Sequence, residues 1–127
     1  MKDTILVYCL PQDIKTKIEM IGKDLNISVS EIAREDVNQT MGYLLQMDGY
    51  SFQEGATPSM KMEDPFVFFA LNNDEQLDLL LQMFRMKGIP FIPYKAVLTQ
   101  HNVHYRFVQL YQSVAEEYLY MTNQKPQ

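Results

Sequence analysis

The sequence of 127 residues contains one cysteine and no tryptophan, and none of its apolar runs is long. A single cysteine excludes an internal disulfide, which is typical of proteins that fold in a reducing compartment. A transmembrane helix needs about 20 apolar residues, and the apolar start of this chain is not followed by the small-residue cleavage site of a signal peptide. We therefore expect a cytoplasmic protein that does not enter a membrane.

Basic side chains are also scarce. Lys and Arg number 11 against 16 Asp and Glu, which gives a net charge of −5. Binding to nucleic acid or to an anionic membrane surface relies on Lys and Arg that neutralise phosphates, and no basic cluster is present. We expect neither partner. The hydrophobic share of 46% is typical of a folded globular chain, and the length favours a single domain over residues 1–127.

The order of predicted elements repeats along the chain. Residues 4–10 and 66–71 are short apolar runs, typical of strands buried on both faces. Each run precedes an amphipathic helix, a more polar strand and a second helix. The polar strands, at 27–33 and 89–98, favour edge positions, and the second contains Pro90 and Pro93, which lack backbone donors.

We predict an α/β fold, with α+β as the alternative, in which two tandem β-α-β-α halves form one four-stranded mixed sheet. The strand order is 2-1-3-4, and four helices pack on the sheet. The pseudo-repeats span 3–46 and 65–120, and the long loop 47–64 joins them. Asp36 is expected to cap the second helix, and Thr99 or Asn102 the last one. Four apolar positions recur at a spacing of 66: Val37, Met41, Leu44 and Leu45 match Val103, Phe107, Leu110 and Tyr111.

The second half contains a distinctive run, Lys95-Ala96-Val97-Leu98-Thr99 followed by Asn102. With the apolar strand 66–71, the acidic helix start at Asp74 and the stop at Gly88, this run resembles a bacterial domain-of-unknown-function family, number 3783, most strongly over residues 65–118. The segment 39–45 is similar to what usually precedes it. The resemblance implies a fold class but no activity, since none is established for the family.

The same run supplies the candidate ligand site, Lys95, Thr99, Asn102 and His104. A lysine on a strand, with a hydroxyl and an amide at the next helix start, is a pattern that can hold an anion. The alternative is structural: Lys95 protects an edge strand, while Thr99 and Asn102 cap a helix. No glycine-rich phosphate loop is present. His101 and His104 do not complete a metal pattern, so we predict no metal, no cofactor and no catalytic residues.

Four apolar side chains in the long loop form a second candidate site, an interaction surface: Tyr50, Phe52, Met60 and Met62. They either fold back on the domain or contact a partner. Tyrosines and other apolar residues also widen the apolar face of the last helix, which can indicate self-association. Cys9 follows the first strand, where Ala70 is its counterpart in the second half, and is interpreted as a small buried hydrophobe.

No catalytic constellation is evident, so the preferred hypothesis is a non-enzymatic protein-interaction or regulatory module that binds a protein partner or forms a homodimer. The alternative is a small-molecule or anion-binding domain, including an enzyme, with its site near Lys95–Asn102. The sequence alone does not decide between them.

Overall fold

The computed structural model describes residues 1–55, 58 and 60–124, and the chain forms two compact units. Unit 1 comprises Met1–Ile32 and Asp64–Leu98, and unit 2 comprises the described residues of Ala33–Glu63 and Thr99–Gln127. Each unit therefore combines one segment from the first half of the chain with one from the second. None of the helices in the described ranges is long and apolar enough to cross a membrane.

Unit 1 contains one four-stranded sheet. Its strands are β1 (Thr4–Tyr8), β2 (Ser28–Glu31), β3 (Phe66–Ala70) and β4 (Tyr94–Val97), in the order β2-β1-β3-β4. The outer pairs β1–β2 and β3–β4 are parallel, whereas the central pair β1–β3 is antiparallel. The predicted mixed sheet and its 2-1-3-4 order are confirmed.

The position of each strand follows from its side chains. All five residues of β3 are buried, and so are the last four of β1, which suits central strands that exclude water on both faces. The edge strands β2 and β4 have only four residues each, none of them fully buried. β4 begins only at Tyr94, because Pro90 and Pro93 cannot donate to a ladder.

Two helices supply the core of unit 1, α1 (Gln12–Leu25) and α3 (Asp74–Met86). Apolar residues recur on each at helical spacing, which buries one stripe. Alternate side chains of β1 and β3 face them, because successive strand residues point to opposite faces. The buried cluster comprises Ile5, Val7, Ile18, Ile21, Ile27, Val67, Phe69, Leu80, Phe84, Ile89 and Ile92.

A left-handed residue and the same type of backbone hydrogen bond close the C-terminal end of both helices, although in α3 Lys87 lies between the helix and the left-handed residue. Asn26 (φ 58°) follows α1, and the Ile27 amide donates to the Gly22 carbonyl at 2.7 Å. Gly88 (φ 73°) follows α3, and the Ile89 amide donates to the Phe84 carbonyl at 3.0 Å. Asparagine and glycine tolerate this conformation better than other residues. The predicted stop at Gly88 is therefore confirmed.

Unit 2 contains the other two helices, α2 (Met41–Leu44) and α4 (Phe107–Gln124). The four predicted helices are therefore present, but α2 and α4 begin later than predicted. The expected caps Asp36 and Asn102 lie in short 3₁₀ turns instead. The cap of α2 is Thr40, whose Oγ1 accepts from the Tyr43 amide at 3.1 Å.

An antiparallel bridge between Thr40 and Arg106 explains the late helix starts. The Met41 amide donates to the Tyr105 carbonyl at 2.8 Å, and the Phe107 amide donates to the Gln39 carbonyl at 2.9 Å. Extended backbone before each helix is needed to form this pair, which a helix starting at Asp36 or Asn102 would disrupt.

The buried side chains of unit 2 include most of the positions matched at a spacing of 66. Leu44 and Leu45 are half-buried. The buried members are Val37, Met41, Val103, Phe107, Leu110 and Tyr111.

Two expectations about Cys9 are wrong. The Ile32 amide donates to the Val7 carbonyl, and the Leu98 amide donates to the Phe69 carbonyl, so Val7 corresponds to Phe69. Two residues further on, Cys9 therefore corresponds to Leu71 and not to Ala70. Cys9 is also exposed, with φ 56°, because the chain turns out of the strand there through the left-handed region. The interpretation as a buried hydrophobe is wrong.

We predict that Gly22→Ala destabilises the protein. A methyl group at Gly22 would lie 2.8 Å from the Ile27 carbonyl oxygen and 2.6 Å from Val29 Cγ2. The carbonyl oxygen belongs to the backbone, so a change of side-chain rotamer cannot relieve this clash. Overpacking of this kind costs about 1–3 kcal/mol. Urea unfolding of wild type, Gly22→Ala and the exposed-helix control Met20→Ala measures the difference; equal midpoints for all three would contradict the packing described.

Candidate functional site

Thr99 and Asn102 are bonded to each other's backbone in unit 2. Asn102 Oδ1 accepts from the Thr99 amide at 2.8 Å, and Thr99 Oγ1 accepts from the Asn102 amide at 3.0 Å and from the His101 amide at 3.2 Å. Asn102 is buried, with 9% of its surface exposed. These polar atoms therefore stabilise the turn that precedes α4.

Lys95 lies in unit 1, on the edge strand β4. It pairs with Val67, as Val29 of β2 pairs with Ile5. Both partners belong to the core, so Lys95 occupies a core-facing position that holds valine in the first half. Burial lowers the pKa of the Lys95 ammonium group, because desolvation disfavours its charged form.

The Lys95 side chain lines a pocket in unit 1. Its Nζ lies 4.5 Å from the centre of the Phe91 ring, within range of a cation–π interaction. The pocket has a volume of about 390 Å³, and Arg85 contributes a second cation to its lining. Sequence reasoning missed Arg85 and Phe91, because a charge at a helix end and an apolar residue between two prolines carry no functional signal by themselves.

His104 in unit 2 contacts Tyr50 of the predicted interaction surface. The Tyr50 hydroxyl and His104 Nδ1 are 2.9 Å apart, and the ring centres are separated by 5.7 Å. Gly42 makes room for the Tyr50 ring, since a Cβ there would lie 2.6 Å from it. The contact thus joins one residue from each predicted site and fixes the start of the long loop within unit 2.

The other members of the predicted interaction surface differ in exposure. Phe52 is 58% exposed, and its ring packs on the Tyr43 ring in a T-shaped arrangement with the ring centres 6.0 Å apart. Met60 is half-buried, whereas Met62 is 2% exposed and its side chain offers no surface to a partner. Among these four loop residues, Phe52 is the one that presents a largely exposed apolar side chain.

A buried glutamine holds the loop in place. Gln39 is 1% exposed. Its Nε2 donates to the Gln53 carbonyl at 2.8 Å, and its Oε1 accepts from the Gln53 amide at 2.8 Å. The side-chain amide thus imitates a neighbouring strand for one residue of the loop. A glutamine before a short helix gives no sequence signal for this role, which depends on a partner 14 positions away.

The C-terminal half of α4 carries a run of exposed apolar side chains. Every residue from 116 to 122 is exposed. The exposed fractions are 36% for Tyr118, 58% for Leu119, 64% for Tyr120 and 58% for Met121. We call these four residues the α4 tip.

Within the part of the chain that the structure describes, no three His, Cys, Asp or Glu side chains are placed to hold a metal ion. The carboxylates at the helix starts include Asp74 and Glu75, where Asn73 caps α3 by accepting from the Glu75 amide at 2.8 Å. Negative charge at this end complements the helix dipole.

The comparisons with known proteins bear on the second half of the chain. Residues 65–121 match the family model described as Domain of unknown function (DUF3783). The predicted resemblance to DUF3783 is confirmed over these residues. The match spans β3, α3, β4 and α4 as far as Met121, and so contains both the pocket and the α4 tip. Neither the curated proteins nor the solved structures yielded a match.

We predict that Gln39→Leu destabilises unit 2. Leucine has a similar volume but leaves the Gln53 N–H and C=O without their partners, at a cost of about 1–3 kcal/mol for each buried group. Urea unfolding with Gln112→Leu, an exposed position on α4, as the control measures the effect. Faster hydrogen exchange at the Gln53 amide should accompany it, and unchanged exchange would contradict the role assigned to Gln39.

We predict that Lys95→Met stabilises the protein at neutral pH, where the lysine is charged in both states and its burial is unfavourable. As pH rises towards the ordinary lysine pKa of 10.5, the folded protein loses the proton first, and the wild type regains stability. The advantage of the variant should therefore shrink with rising pH. Urea unfolding at pH 7 and 10.5, with the exposed Lys87→Met as control, tests this; a gain that grows with pH would contradict it.

Proposed function

We propose that this protein is a non-enzymatic protein-interaction module and that the α4 tip is the surface that contacts a second protein chain. The observation that carries the proposal is the exposure of four consecutive large apolar residues at the end of an otherwise anchored helix. Contiguous exposed apolar surface of this kind is typical of protein interfaces.

The apolar stripe of α4 continues beyond the part that unit 2 buries. Phe107, Leu110 and Tyr111 are 0%, 4% and 3% exposed, and Val114 is half-buried. Tyr118 and Met121 continue the spacing of three and four residues on the same side. The stripe is thus buried at its start and solvent-exposed at Tyr118 and Met121.

The α4 tip is apolar around most of the helix circumference. Successive residues of an α-helix are rotated by about 100°, so residues 118, 119, 120 and 121 point in four different directions. Exposed apolar side chains on every side of this one turn form a contiguous apolar surface, which is typical of an interaction site. Burying a leucine or a methionine side chain contributes roughly 1.5–3 kcal/mol, which makes Leu119 and Met121 suitable anchors in a groove on a partner.

A cytoplasmic location belongs to the same proposal. Cys9 is the single cysteine and is exposed, and a reducing compartment preserves such a thiol. The net charge of −5 favours a protein partner over nucleic acid, since phosphate contacts need clustered Lys and Arg. A second copy of the chain is the first partner to test, because it requires no other component.

We predict that wild-type protein associates through the α4 tip and that Leu119→Glu/Met121→Glu abolishes the association. The control is Gln112→Glu/Ser113→Glu, which adds the same charge to exposed positions of the same helix outside the tip. Sedimentation velocity over a wide concentration range measures self-association. Because both variants alter exposed residues, circular dichroism should show unchanged folding.

Association with a different protein is measured by placing a photo-crosslinking amino acid at position 119 or, as a control, at 112 in the cells that make the protein. A specific partner should be trapped from 119 and not from 112. If the wild type stays monomeric at high concentration and position 119 traps no protein, the proposal is wrong.

A further inference from the structure

A pocket in unit 1 lies between the C-terminal half of α3 and the segment that leads into β4. Its volume is about 390 Å³, within the range of about 300–1,000 Å³ that is typical of small-molecule sites. The two prolines of the segment, Pro90 and Pro93, fix φ at their positions. One wall of the pocket is therefore backbone of restricted freedom.

The inner wall of the pocket is part of the hydrophobic core. Phe84, Ile89 and Ile92 line it and are only 6%, 9% and 4% exposed. Leu81, one helical turn before Arg85, adds a further apolar contact. An aliphatic chain or a ring that enters the pocket would thus meet side chains that are already held in place by packing, which reduces the ordering cost of binding.

The charges in the lining have one sign. Arg85 and Lys95 line the pocket, and none of the lining residues is acidic. Lys15 and Glu31 form an ion pair at 2.7 Å on another part of unit 1. Among the described residues, the side chains of Arg85 and Lys95 form no ion pair or hydrogen bond. Their positive charge is therefore available to a ligand.

The position of Lys95 in the sheet also distinguishes the second half of the chain from the first. Its partner across the sheet is Val67 of the core, and the corresponding position of the first half is Val29, which packs against that core. The ammonium group rests against the ring of Phe91, which is itself 74% exposed. A cation on a core-facing position beside an exposed aromatic ring suits a ligand with an apolar body and an acid group.

We propose that this pocket binds a small amphipathic monoanion, a carboxylate with an aliphatic or aromatic body. The body lies against Phe84, Ile89 and Ile92, and the carboxylate lies at Arg85 and Lys95. Charge-assisted hydrogen bonds from arginine and lysine to a carboxylate are stronger than those between neutral groups. The site lies in unit 1 and does not depend on the α4 tip.

Octanoate is the test ligand, and 1-octanol, with the same chain and no charge, is the control. Methyl-labelled NMR titration of the full-length protein should show saturable octanoate binding, with shifts centred on Leu81, Ile89 and Ile92. We expect 1-octanol to bind at least about tenfold more weakly, the loss that follows from removing one charge-assisted contact. This comparison uses the wild type alone and does not depend on any variant that folds poorly.

Variants then test which cationic side chains contact the carboxylate. Lys95→Met and Arg85→Met should each weaken octanoate binding about tenfold and leave 1-octanol binding unchanged or stronger. Lys87→Met removes the same charge from an exposed position two residues after Arg85 and should leave octanoate binding unchanged. Equal affinity for octanoate and 1-octanol, an equal effect of Lys87→Met, or no saturable shifts at these methyl groups would overturn the proposal. In that case Lys95 serves only to protect the sheet edge.

Discussion

The antiparallel pairing of β1 with β3 is the interaction on which the rest of unit 1 depends. Leu6 lies opposite Phe68 at its centre, with Thr4 opposite Ala70 and Tyr8 opposite Phe66 at its ends. Each of these two strands has a parallel neighbour on its outer side, so this one pairing fixes the order of all four strands in the sheet. It also brings α1 and α3 to the same apolar cluster, since each follows one of the central strands.

The sheet was predictable because the residues that identify each strand lie within or directly beside that strand. Continuous apolar runs identify the central strands, while polarity and prolines identify the edges, and one strand order satisfies both. The helix starts of unit 2 were not predictable in the same way. Asp36 and Asn102 are good cap residues, but the bridge between Thr40 and Arg106 is a long-range pairing that leaves no pattern near either residue. The helix starts are therefore set by this long-range pairing and not by the nearest good cap residue.

The candidate site shows the same limit at the level of side chains. Lys95 stands out in the sequence because the first half has no equivalent lysine, yet its neighbours in the motif have a different role. Thr99 and Asn102 bond to backbone amides in their own turn, whereas Phe91 and Arg85, which the motif does not include, share a pocket with Lys95. The sequence motif indicated that Lys95 is distinctive, and the fold shows which residues surround it.

The two edge strands have a consequence for how this protein can meet others. Each is four residues long, and the chain before β4 is interrupted by prolines while Lys15 and Glu31 place a charged pair at β2. Edges of this kind resist the addition of a further strand. Addition of a partner strand is therefore unfavourable at both edges, and we expect contacts with other proteins to be made by side chains rather than by an extended hydrogen-bonded ladder.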